Sequence, residues 1–180
     1  MRLAPLALAA ALLLALAGCV PSTAHPTASP RASATPVFAS DAEALAAAEK
    51  AYAAYLKVSD QILIDGGSRP ERLQPYVSAA LYAEEKKGFD QTATNGWHST
   101  GGTTYDHFSL EVYDPSDRDA LVTAYVCSDV SRVDVLDSHG VSVVSPDRPE
   151  RTAFEVTFAL LHSRTLVLAS NDVWTGDGVC

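Results

Sequence analysis

The chain has 180 residues with 13 basic and 22 acidic side chains, a formal charge of −9. That length accommodates one domain and a tether. An acidic chain whose one basic cluster is Lys86-Lys87 is poorly suited to gripping nucleic acid or anionic headgroups, so no nucleic-acid partner is expected.

The N-terminal stretch opens with Arg2 and runs through Leu and Ala from Leu6 to Leu16. This is about half the apolar length a bilayer crossing needs, and a positive start, a short apolar core and small residues read as a secretory signal. The run closes on Leu16-Ala17-Gly18-Cys19, which resembles the bacterial lipoprotein box. The resemblance implies diacylglyceryl transfer to the Cys19 thiol and cleavage before it. Residues 1–18 are then a signal peptide, and the chain is lipid-anchored on the extracytoplasmic face of the cell membrane, where two or more acyl chains hold firmly. The competing reading is a cleaved signal followed by simple secretion. Residues 19–39 are rich in Pro, Ser, Thr and Ala, with Pro21, Pro26, Pro30 and Pro36 spaced through them. Such a stretch buries too little apolar surface to fold and reads as a disordered stalk, in which His25 is linker.

A single domain is expected over residues 40–180. Ser40-Asp41-Ala42-Glu43 matches a capping box, and Leu45, Ala48, Tyr52, Tyr55, Leu56, Ile62 and Leu63 recur at helical spacing up to Asp65-Gly66-Gly67. Ser68-Arg69-Pro70-Glu71 repeats the capping pattern, with Pro in the first turn. Pro75 predicts a stop or kink, and Ser78 a restart that Gly88 ends. Asp90 to Thr104, holding Trp97 and His98, reads as a loop or irregular edge strand.

Beyond that point the period changes to alternation. Tyr105 to Tyr113 predicts a strand with Phe108, Leu110 and Val112 on one face. Ala120 to Val135 predicts one very long strand, bent near Asp129. On it Tyr125, Cys127 and Asp129 share one face by parity, and Ala124, Val126 and Val130 the other. Phe154 to Leu161 and Thr165 to Trp174 predict a hairpin about His162-Ser163-Arg164. Helices followed by a meander of long strands make an α+β domain. Cys127 and Cys180 are an even pair in an oxidising compartment and are expected to bridge. Closing that loop of about fifty residues stabilises by roughly 4 kcal/mol. The alternative is a buried Cys127 thiol and a frayed tail at Cys180.

This element order resembles the nuclear transport factor 2-like cone fold, in which N-terminal helices pack on a long, curved antiparallel sheet. Cys127-Ser128-Asp129-Val130-Ser131, with Val135-Leu136-Asp137, Gly140, Trp174-Thr175-Gly176 and Cys180, is similar to runs in uncharacterised lipoproteins of high-GC Gram-positive bacteria. The resemblance implies a cavity at the wide end of the cone, and enzymes of that family line it with Tyr, Asp and His. The matching candidates are Tyr52, Tyr55, Tyr105, His107, Tyr125 and Asp129. Asp129 would act as a base of raised pKa, and a Tyr hydroxyl would stabilise an enolate oxygen. Against this stands a reading in which the tyrosines fill the core and Asp129 pairs with Arg132. Parity, absent a bulge, turns Asp129 away from the cavity. The family also implies a homodimer through the open face of the sheet.

Other chemistry is poorly represented. His98, His107, His139 and His162 form no metal-ligand spacing, and Asp114, Asp117 and Asp119 lack the glycine and closing glutamate of a calcium loop. No nucleophile elbow or phosphate loop occurs, which disfavours hydrolase and nucleotide-dependent classes. No cofactor or metal is expected. Trp97 and His98 mark a candidate binding loop. A row of exposed aromatics for glycan binding would have to be built from Trp97 and Trp174. The expectation is a non-catalytic binding or assembly module, accessory to an envelope transport or secretion complex and contacting an envelope protein or small ligand. The alternative is a small cone-fold isomerase or dehydratase using Asp129, His107, Tyr52 and Tyr125.

Overall fold

Residues 36–119, 121–161 and 165–180 are described by the computed structural model of this chain. The signal peptide, Cys19, the stalk up to residue 35 and the His162-Ser163-Arg164 turn lie outside the described residues.

Helix α1 spans Asp41–Ile64. The Ser40 hydroxyl accepts from the Glu43 N–H at 3.2 Å, while the Glu43 carboxylate reaches back to the Ala39 N–H at 2.7 Å, one residue short of the reciprocal box. Its inner stripe is Ala44, Ala48, Tyr52, Tyr55, Ser59 and Ile62, a three-and-four spacing that aims every member at the sheet. The helix stops where Gly66 and Gly67 take positive φ. The Phe89 carbonyl lies where a Cβ on Gly67 would stand, so only glycine fits there.

The second helical region differs from expectation in two places. Ser68 caps nothing: a 3₁₀ turn spans Pro70–Leu73, preceded by Arg69 at φ 53° with no side-chain cap. Ser78 does restart the chain, its hydroxyl accepting from the Leu81 N–H at 3.1 Å. Helix α2 then runs Ala79–Asn95, straight through Gly88, and ends at Gly96 with φ 67°. Gly in a helix interior costs about 1 kcal/mol against Ala. Burial of Phe89 and Thr92 beyond it outweighs that cost. The Thr92 and Thr94 hydroxyls bond back to the Gly88 and Asp90 carbonyls, so the Thr-rich segment expected to be a loop is helix as far as Asn95.

Strands follow as β1 His98–Thr100, β2 Thr104–Tyr113, β3 Val122–Asp129, β4 Asp134–Leu136, β5 Arg151–Leu160 and β6 Leu166–Val173. The main sheet is antiparallel in the order β2-β3-β5-β6, and β1 pairs with β4 in a separate two-stranded sheet. The long strand expected over Ala120 to Val135 is therefore two strands in different sheets. The Asp129 carboxylate accepts from the Ser131 N–H at 2.9 Å, and Val133 N bonds Val130 O at 2.9 Å. This turn chemistry ends β3 and redirects the chain to β1. In β2 the register shifts twice, around His107 (φ 51°) and between Leu110 and Val112. These bulges break the expected alternation, leaving Phe108 and Leu110 half-buried and Val112 exposed.

Val122, Ala124, Val126, Val156, Phe158 and Leu168 form the sheet side of the core, against the inner stripe of α1. The segment between the 3₁₀ turn and α2 pairs with the outer edge of β6: Leu168 N bonds Tyr76 O, and Ser78 N bonds Leu168 O. On the other face of β3, Cys127 and Cys180 lie at disulfide distance with Cα atoms 5.2 Å apart. Trp174 lies against Tyr125 with ring centres 4.7 Å apart and planes tilted by 46°, so the C-terminal tail crosses part of the face turned away from the helices.

Candidate functional site

Four separate segments meet around a cleft of about 510 Å³. The last turns of α1 bring Asp60 and Leu63, and the end of α2 brings Thr92 and Trp97. The β1–β2 connection contributes Ser99, Gly101 and Thr103. The β3–β4 turn and the loop after β4 add Val130, Val133, Val135, Val143, Val144, Ser145 and Arg148.

Each wall is held by a specific bond. The Asp60 carboxylate accepts from both Thr103 N–H and Thr103 hydroxyl, each at 2.8 Å, which pins the β1–β2 connection to α1. Gly101 has φ 76°, and the Arg132 carbonyl occupies the space a Cβ there would need, so the connection lies directly on the β3–β4 turn. The Arg148 Nη2 donates to Val130 O at 3.0 Å and Val133 O at 2.8 Å, tying the outer loop to that turn. Val143 N bonds Val135 O, and the Ser142 hydroxyl donates to Asp134 at 2.6 Å, which lays residues 141–144 beside β4. The resulting surface is mainly apolar, with Trp97 half-buried in its wall and Val143 40 % exposed.

Of the residues singled out in sequence, Trp97 lines this cleft and His98 sits beside it in β1, half-buried and opposite Leu136. The four acid–base candidates are not brought together. Tyr52 is buried, its ring 5.9, 5.2 and 5.7 Å from those of Tyr55, Tyr105 and Phe108. Desolvation holds its phenol well above the ordinary range. Tyr125 and Asp129 lie on the opposite face of β3. The Tyr125 phenol is pushed up to about 12 by desolvation and by the Glu111 and Glu155 carboxylates. His107 is exposed, its Nδ1 2.6 Å from Asp106.

The expectation of a raised Asp129 pKa is corrected. The Ser131 hydroxyl and N–H, and behind them the Arg151 guanidinium, hold that carboxyl below its ordinary value. Its partner is Arg151 at 3.1 Å, not Arg132. Arg151 Nη2 also donates to both Asp106 oxygens at 2.7 and 2.9 Å, so Asp106, Arg151 and Asp129 make one exposed ionic chain across the sheet, with the His107 ring beside Asp106 at its end. Among the described residues no group of three or more His, Cys, Asp or Glu is arranged to hold a metal.

Sequence reasoning missed a partly buried polar cluster. The Tyr55 hydroxyl donates to Glu85 at 2.9 Å. Desolvation raises the Glu85 carboxyl, an effect the Tyr55 bond partly offsets. Near this pair the Asn171 Oδ1 is buried without a hydrogen-bond partner. The available signal was the α2 stripe itself, since Glu85 falls between Leu81 and Phe89 at four-residue steps.

No family model matches this chain, and no curated protein is similar to it. Among solved structures, a de novo designed β-sheet protein determined by solution NMR is similar at 13 % identity. The match spans 72 % of this chain and 88 % of that one, with a TM-score of 0.32. So loose a likeness carries no functional information.

Proposed function

We propose that this chain is a lipoprotein anchored through Cys19 on the extracytoplasmic face of the membrane. Its head is a non-catalytic binding or assembly module that contacts a small ligand or an envelope transport or secretion partner through the Trp97 cleft. The observation that supports this reading is the composition of the cleft. It has a volume typical of ligand sites, apolar walls and a tryptophan at hand. Its two charged side chains already bond within the protein, Asp60 to Thr103 and Arg148 to two carbonyls. A tether raises the local concentration of the head near membrane complexes, so modest affinity suffices.

The finer description of the head as a cone of the nuclear transport factor 2-like kind belongs to the same proposal. Bulges in β2 and at Thr157/Phe158 in the β5–β6 pairing favour a curled sheet. A homodimer through the open sheet face is disfavoured by charge, because Glu111 and Glu155 lie beside Tyr125 and Asp172 beside Glu155, and a second copy would add three more carboxylates. The alternative of an acid–base isomerase using Asp129, His107, Tyr52 and Tyr125 has less support, since none of the four lines the cleft.

Photo-crosslinking in intact envelopes tests the binding reading. A photoreactive residue replacing Trp97 is expected to give discrete adducts that Val143→Glu abolishes. Adducts that survive V143E, or that form equally from a photoreactive residue at position 125, would overturn it.

A further inference from the structure

We propose that the Trp97 cleft takes a single alkyl chain ending in a carboxylate, the chain lying on the valine wall and the head on Arg148. This inference rests on the reading of the cleft as a contact site and names the ligand class. Leu63, Val133, Val135, Val144 and Trp97 supply a surface that rewards removal of hydrocarbon from water and offers few polar atoms in return. Each Asp60 oxygen already accepts one bond from Thr103, so that carboxylate is partly occupied as a polar anchor.

Arg148 is the exception in that wall. Only its Nη2 is used, by the carbonyls of Val130 and Val133. Two arginines among the described residues are half-buried, Arg72 and Arg148. Arg72 has the Asp65 carboxylate at 2.8 Å, whereas Arg148 has no carboxylate within ion-pair distance among the described residues. Its Nη1 and Nε hydrogens remain, and since each two-pronged face of the guanidinium needs Nη2, a carboxylate would be held by single charge-assisted bonds rather than a fork. The bonds to two backbone carbonyls hold the guanidinium still, so little freedom is lost when an anion docks. A cleft of about 510 Å³ suits one chain of moderate length and is small for a two-chain lipid.

The test uses the full chain carrying Cys19→Ser, so that no attached lipid competes. Dansylaminoundecanoic acid is the probe, its binding read by energy transfer from tryptophan, and dodecanoate and dodecanol are the displacing ligands. Dodecanoate is expected to displace the probe at least about tenfold better than dodecanol, because a hydrogen bond to an ionised group is worth roughly that factor or more. Arg148→Gln is expected to erase the preference, and Val143→Glu to abolish probe binding. Equal displacement by acid and alcohol on the unsubstituted cleft would overturn the assignment of Arg148 while leaving the crosslinking result intact. It needs no variant at a residue that also supports the β3–β4 turn. A probe that fails to bind, or that binds V143E as well as the parent, would overturn the alkyl-chain assignment. Whether the cleft is a contact site would still be read from the Trp97 adducts.

Discussion

Glu85 is a carboxyl placed in an apolar stripe, and its surroundings set a pH dependence. Burial raises its pKa, and the Tyr55 hydroxyl partly offsets the rise. The folded chain therefore keeps the proton to higher pH than the unfolded chain does. The associated stability is complete below the ordinary value of 4.5 and is lost as pH rises through the folded value. Glu85→Gln retains an acceptor for Tyr55 and cannot ionise. Urea denaturation is expected to find E85Q more stable than the parent at pH 7, the two converging as pH falls below 4.5. Tyr55→Phe has the opposite effect. It leaves a half-buried acceptor without its donor and is expected to cost about 0.5–1.5 kcal/mol at any pH in that range.

The elements carry their own tests. Gly88 lies on the exposed side of α2 in a helical conformation, and a Cβ there meets nothing within 4 Å. Gly88→Ala is expected to raise stability by about 0.5–1 kcal/mol, measurable as an increased urea midpoint. The C-terminal tail is tied to β3 by the Cys127–Cys180 pair, 53 residues apart in sequence. Paired denaturation curves with and without reductant are expected to differ by roughly 4 kcal/mol. Reduction should also change tryptophan emission, because Trp174 loses its fixed place on Tyr125. An unchanged midpoint would mean that the tail contributes nothing to the domain.

At the scale of the whole molecule, the sheet has two unlike faces. One is closed by the helices, and the other carries Tyr125, Trp174 and the ionic chain of Asp106, Arg151 and Asp129. The cleft lies beside the sheet, where β1 and β4 pair. A lipid on Cys19 would hold this head at the membrane. Cys19→Ser is expected to abolish palmitate labelling and move the protein from the envelope to the medium. Retention of the label would show that the anchor lies elsewhere.

The parts legible in sequence are those governed by neighbours along the chain. Ser40, the three-and-four stripe of α1 and the restart at Ser78 depend on residues within a turn or two, and so does the parity that turns Asp129 away from the helices. The α+β order followed from the change of period after Thr104. Misreadings arose where distant contacts outweigh local preference. Gly88 and the Thr-rich stretch predict an end to α2, yet burial of Phe89 and Thr92 carries the helix on to Asn95. Alternation predicts one strand through Asp129, yet β1, more than thirty residues earlier in sequence, captures Asp134–Leu136. The cleft is assembled from four segments whose proximity depends on the Asp60–Thr103 and Arg148–Val133 bonds, so no local pattern could announce it beyond Trp97. Short-range sterics and periodicity are written in the chain itself. Which side chains are desolvated together, and so which carboxyl is raised and which arginine has no carboxylate beside it among the described residues, was decided only when the chain closed on itself.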